Sequence, residues 1–157
     1  GSNGGLLVGA VINQRPDLFA AAVAQVGVMD MLRYHTACAN AEQWGSEYGT
    51  SRQSKADFDN LRSYSPYHNL SADKRYPAVF AITADHDDRV VPWHTFKWAA
   101  RLQDTVRDQG VTARPVLLRV ETRAGHGAGK SVSQAMSELS DTLLFLKSII
   151  PGLKDPA

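Results

Sequence analysis

The stretch Ala78-Val79-Phe80-Ala81-Ile82-Thr83-Ala84-Asp85-His86-Asp87-Asp88-Arg89 is an apolar run that turns abruptly acidic. Ala78 to Thr83, with its aromatic and β-branched side chains, reads as a buried strand. The aspartates that follow lie where the chain leaves that strand, at the end where ligands and catalytic groups gather in open parallel sheets. Two further runs have the same buried-strand character, Ala21 to Val28 and Val116 to Glu121. Helical patterns lie between and after them. Phe96, Ala99, Leu102 and Val106 recur at helical spacing, with Gly110 as a C-terminal stop. Val132, Met136, Leu139, Leu143, Leu146 and Ile150 repeat similarly and end at Pro151-Gly152. A weaker helix passes through Phe58 and Leu61, and a first helix starts beside Ser2 and ends before Pro16. Strands alternating with helices imply an α/β fold with a mostly parallel sheet flanked by helices.

From Met29 to Tyr76 the chain is polar, carries Tyr34, Trp44, Tyr48, Tyr64 and Tyr67, and offers no strand. No internal repeat or linker divides the 157 residues. Three strands are few for a parallel sheet, and a bare helix rarely opens one. The expectation is therefore the C-terminal half of a larger α/β domain whose other strands come from upstream. Seventeen basic residues against 16 acidic leave a net charge of +1, too balanced to hold nucleic acid or a membrane surface through bulk charge. No apolar run approaches the roughly 20 residues of a membrane span. The lone Cys38 permits no internal disulfide, and no signal peptide is visible. The expected setting is the cytoplasm.

Three segments carry chemistry. Gly1-Ser2-Asn3-Gly4-Gly5 leads into an apolar helix, as in a nucleophile elbow, where a strained turn lifts a serine above a helix N-terminus. The N–H of Asn3 would then face a developing oxyanion. Gly-Ser at a chain start reads equally as a remnant of cloning. In the second segment an aspartate of the Asp85 to Asp88 run could orient a histidine, although aspartates are also common turn formers. No glycine-centred calcium loop is present there. The third is Ala124-Gly125-His126-Gly127-Ala128-Gly129-Lys130-Ser131, in which His126 on a glycine loop could act as base and then acid. A phosphate loop is the competing reading of Gly-Lys-Ser before a helix. That motif needs four residues between its glycines, and Gly125 and Gly129 enclose three. Taken together, the order Ser2, Asp87, His126 is the nucleophile, acid and base order of the α/β-hydrolases.

Ser2-Asn3-Gly4-Gly5, Asn13 to Phe19, Ala24 to Leu32, Asp85 to Pro92 and Ala124 to Lys130 together resemble the prolyl oligopeptidase family of serine peptidases. The resemblance extends over nearly the whole chain. It implies that Ser2 is the nucleophile, Asp87 the triad acid, His126 the base and the Asn3 N–H an oxyanion donor. It further implies that Trp44 and Tyr48 form a proline pocket walled by Val28 and Val90. Arg89 would hydrogen-bond a substrate carbonyl. It assigns no role to Cys38. The implied substrates are short proline-containing peptides, cleaved after proline without metal or cofactor. The Ser-Asn-Gly-Gly elbow, with Trp44 and Tyr48, resembles the proline-specific branch rather than the basic-specific or dipeptidyl branches.

The same resemblance implies that residues 1–157 are part of a peptidase catalytic domain that starts at the elbow. Its propeller, the first half of the hydrolase domain and an upstream tyrosine that donates to the oxyanion would be missing. One alternative is therefore a catalytically incompetent fragment that acts, if at all, by association. The phosphate-loop protein is the other.

Overall fold

The computed structural model describes residues 1–110, 114–127 and 129–152. The fold is α/β. In chain order its elements are α1 (Asn3–Gln14), β1 (Ala21–Gln25), α2 (Ala41–Tyr48), α3 (Lys55–Tyr64), β2 (Ala78–Ala84), α4 (Trp93–Arg107), β3 (Val116–Glu121) and α5 (Val132–Ile149). The three strands form one parallel sheet in the order β1-β2-β3. β2 is central and every one of its residues is buried, which is why its sequence is a continuous apolar run rather than an alternating one.

Successive side chains of each strand point to opposite faces, so the sheet supports two cores. On one face Ala22, Ala24, Val79, Ala81 and Val116 pack with Ile12 of α1 and with Trp98, Ala99, Leu102 and Val106 of α4. On the other, Ala78, Phe80 and Ile82 meet Phe145 of α5, with the Phe80 and Phe145 ring centroids 5.4 Å apart. A third apolar cluster joins Leu6, Val28, Met31, Tyr34, Ala41, Leu61 and Val90 beneath α2 and α3.

Four differences from the sequence-based expectation have physical causes. β1 ends at Gln25 rather than Val28, because Val26 takes φ 42° and turns the chain under α1. β2 runs one residue further, to Ala84. The polar middle region holds no strand among the described residues, as expected, but it does hold α2, whose sequence has no sustained apolar stripe. The largest difference is α5. Its expected core face is exposed at Val132, Met136, Leu139 and Leu143, and among its described residues only Phe145 is fully buried. What holds the start of α5 is polar: a capping box in which Ser131 accepts from the Gln134 N–H and the Gln134 side chain accepts from the Ser131 N–H. No helix among the described residues is long and apolar enough to cross a membrane.

Candidate active site

Ser2 caps the N-terminus of α1 with φ 55° and ψ −122°, a backbone conformation that costs on the order of 1–3 kcal/mol for a residue with a side chain. Its surroundings hold it there. The Ser2 N–H donates to the Gln25 carbonyl at 2.9 Å, at the end of β1, and its own carbonyl accepts from the Leu6 N–H at 3.1 Å. A Cβ on Gly5 would sit 2.6 Å from Gly27 Cα and 2.7 Å from the Gln25 oxygen. The glycine is thus required by the close passage of α1 over the turn after β1, the backbone crowding that an elbow needs. Asn3 is the first helical residue, so its N–H has no carbonyl within the helix to bond.

The loop after β2 presents Asp87, whose side chain is fully buried. One oxygen, Oδ1, accepts from the backbone N–H groups of Arg89 (3.1 Å) and Val90 (2.9 Å). The other, Oδ2, lies 2.7 Å from His126 Nδ1. A carboxylate only accepts, so this contact puts the histidine proton on Nδ1 and leaves Nε2 able to take another.

His126 reaches that position because its loop is stitched to the loop bearing Asp87. The Asp85 N–H donates to the Glu121 carbonyl at 3.0 Å, and the His86 N–H donates to the Ala124 carbonyl at 3.1 Å. The Ala124 N–H returns a longer bond to Asp85 Oδ1 at 3.5 Å. His86, 2.6 Å from Asp85, holds that carboxyl below its ordinary range. Just past His126 the chain turns tightly at Gly127, with φ 111°, where its N–H donates back to the Gly125 carbonyl at 2.7 Å. Ala128 lies outside the described residues.

Two cavities meet at Ser2. One, of about 510 Å³, is lined by Ser2, Asn3, Val28, Trp44, Tyr48 and Arg89 among others. The other, of about 450 Å³, is lined by Ser2, Gln25, Arg89, His126, Lys130 and Glu138 among others. Ser2, Asn3, Val28, Trp44, Tyr48, Arg89 and His126 line one or both of these cavities. Asp87 sits behind His126, and Val90 is buried with Val28, Trp44 and Tyr48, backing the first cavity rather than lining it.

The aromatic wall is itself ordered. Trp44 stacks on Tyr34 with centroids 6.1 Å apart and planes 14° apart, and Tyr48 meets Tyr34 edge-on. The Tyr48 hydroxyl donates to Asn3 Oδ1 at 2.6 Å, joining the aromatic cavity to the elbow. Burial, with Tyr64 and Tyr48 nearby, pushes the Tyr34 phenol up to about 12, so it stays a donor to the Gly49 carbonyl.

Sequence reasoning left several site-supporting residues unseen. Cys38 is buried with Sγ 3.5 Å from His94 Nε2, while His94 Nδ1 accepts from the Asp30 N–H at 3.0 Å. The Ala39 N–H donates to the Asp88 carbonyl at 2.8 Å and ties this region to the acid loop. Asp30 is buried against Lys97 at 2.6 Å. Burial pushes its carboxyl up, but the Lys97 ammonium, with His68 and Arg33, outweighs that and holds it below the ordinary range. Lys130 pairs with Glu138 at 2.6 Å, an eight-residue separation that no motif flags. Among the described residues no group of three or more His, Cys, Asp or Glu side chains is placed to hold a metal ion.

A serine in an elbow, a buried aspartate against a histidine and a cavity walled by aromatic rings match one class of protein. The chain belongs to the prolyl oligopeptidase family, a family of serine peptidases, whose model matches residues 1–152. It is 52% identical over 144 residues to a prolyl endopeptidase of Elizabethkingia miricola, covering 92% of this chain and 20% of that protein. A prolyl endopeptidase of Dictyostelium discoideum is 46% identical over 151 residues, covering 96% of this chain and 19% of that one. A solved prolyl endopeptidase superposes with a TM-score of 0.84 at 43% identity, over 94% of this chain and 21% of that structure. The chain therefore spans about a fifth of the length of the relatives it matches.

Proposed function

We propose that this chain carries the reacting groups of a serine-type endopeptidase that hydrolyses short peptides on the C-terminal side of proline. The observation that carries the reading is the 2.7 Å contact between Asp87 and His126, on stitched loops that bring His126 to a cavity shared with Ser2. In this reading Ser2 Oγ attacks the scissile carbonyl carbon while His126 Nε2 takes the hydroxyl proton. His126 then gives that proton to the leaving amine, and an acyl-enzyme remains. Water, deprotonated by the same imidazole, attacks the ester and releases the acid as the proton returns to Ser2. Asp87 holds the imidazole tautomer and stabilises the imidazolium without itself taking the proton.

The Asn3 N–H, at the positive end of α1, would donate to the oxyanion. Trp44 suits a proline ring, which offers an apolar face and no N–H to satisfy. Tyr48 and Val28 would complete the pocket wall with Val90 behind it, and Arg89 would donate to a substrate carbonyl. We read residues 1–157 as part of a catalytic domain in a longer peptidase, which the match to about a fifth of each relative supports. The remaining hydrolase segment and propeller would be its partners. A cytoplasmic setting is supported by the single free cysteine.

The test is to treat the chain with a serine-reactive fluorophosphonate and record intact mass. One adduct is expected on the parent chain and none on Ser2→Ala. Asp87→Asn and His126→Ala are expected to slow labelling by about 10³-fold or more. Undiminished labelling of Ser2→Ala overturns the assignment. A second reading, a piece that holds these residues without activating Ser2, is favoured by the same fifth-length match and predicts an unlabelled parent chain.

A further inference from the structure

We infer that Glu138 and Lys130 are positioning residues for His126, clamping its loop to α5 and to the elbow and balancing the charge around the imidazole. The inference rests on reading His126 as the base. Lys130 leaves the loop four residues after His126, and its ammonium lies 2.6 Å from Glu138 Oε2. Glu138 Oε1 accepts from the Gln25 side chain at 3.4 Å, and the Gln25 carbonyl is the one that holds the Ser2 N–H at 2.9 Å. A single carboxylate on α5 thus touches both the segment carrying His126 and the residue that fixes Ser2.

The clamp matters because the first turns of α5 bury no apolar side chain beside the site and rest on polar contacts, with Gln134 on Glu121 and Arg119 on Asp141 further along. The α5 stripe from Val132 to Leu143 is exposed. The Lys130 and Glu138 side chains are only 16% and 15% exposed, unlike a surface pair, which is worth little. Both line the cavity that Ser2 and His126 share.

The charges facing His126 can be named. Asp87 is against it from the β2–α4 loop, and Arg89 lines the same cavity. Lys130 comes from its own loop, Glu138 from α5 and the Gly1 α-amino group from beside Ser2. Glu121, at the end of β3, is engaged by Arg119 at 2.8 Å and by Gln134 at 3.1 Å, and Asp85 is engaged by His86. Within this set Lys130 and Glu138 cancel. Glu138→Gln leaves an uncompensated ammonium, which disfavours the imidazolium and lowers the pH at which His126 titrates. Lys130→Met leaves an uncompensated carboxylate and raises it.

The experiment is an NMR titration of the chain with ¹⁵N-labelled histidine, the His126 ring signals being assigned through His126→Gln. The His126 midpoint is expected to fall by about half a unit or more in Glu138→Gln and to rise by a similar amount in Lys130→Met. It should return to the parental value in the double variant. A purely structural pair would not move the two singles in opposite directions. Midpoints that stay put, or that move the same way, overturn the inference. Should one single variant unfold, the other keeps the test: a midpoint displaced in its stated direction supports the inference and a parental one overturns it. Fluorophosphonate labelling of the parent chain is read separately. An unlabelled parent with opposite histidine shifts favours the reading in which Ser2 is not activated in this chain, while the clamp stands.

Discussion

A methyl group on Gly5 has nowhere to go, since its nearest neighbours are backbone atoms of Gln25 and Gly27 rather than the ends of flexible side chains. Gly5→Ala is therefore expected to destabilise the chain by about 1–3 kcal/mol, read as a lower urea midpoint, whereas Gly4→Ala, facing open space, should lose nothing measurable. Equal midpoints for the two variants would contradict the crowding at the elbow. The same contrast explains what could be read from residues alone. Asp87 and His126 were legible because each stands in a local pattern, acidic or glycine-rich, just beyond an apolar run. Glu138 sits in an ordinary amphipathic helix, and Asp30 and His94, though within or beside stretches that carry the resemblance, have no local pattern that assigns them a role. Their importance comes from what the fold places opposite them, and no spacing in the chain records that.

At the level of elements, the strands were legible as apolar runs, and β3 falls at its expected bounds, although as an edge strand it leaves Leu117, Leu118 and Val120 exposed rather than buried. The end of β1 was not, because Gln25 to Val28 is a smooth run whose break comes from the approach of α1. α2 escaped notice because it fully buries only Ala41 and presents Trp44 and Tyr48 to the cavity rather than to a core stripe. In α5 the periodicity is real, but periodicity announces an apolar face without saying what covers it. That face has a measurable consequence. Replacing Leu139 and Leu143, both exposed, with lysine is expected to reduce concentration-dependent association of the chain in sedimentation velocity while leaving its helix content unchanged. Sedimentation that does not respond would show that the stripe is not what drives association.

Across the whole molecule, burial makes three histidines sensitive to acid, His35, His68 and, most deeply buried, His94. His94 lies on α4, wholly buried, bound to the Asp30 backbone and Cys38, and burial lowers its pKa from 6.5 to about 4. The unfolded chain therefore binds a proton that the folded chain refuses between those values. The stabilisation is complete above about pH 6.5 and is lost as pH falls towards 4, amounting to roughly 3 kcal/mol. Urea midpoints measured from pH 7 to 4.5 should fall accordingly, and His94→Asn should flatten that slope even if it costs stability at neutral pH. A slope unchanged by the substitution would place the acid sensitivity elsewhere, for instance at His68, whose pKa burial also lowers. The stitched loops carry a different consequence, one that belongs to synthesis. Asp87 and His126 are 39 residues apart in sequence and meet only after β3 has been laid beside β2. If His126 is the base, a nascent chain already displaying Ser2 lacks it until β3 and the loop beyond have emerged. On the proposed reading, a translation product that stops short of residue 126 carries Ser2 without the imidazole that would activate it.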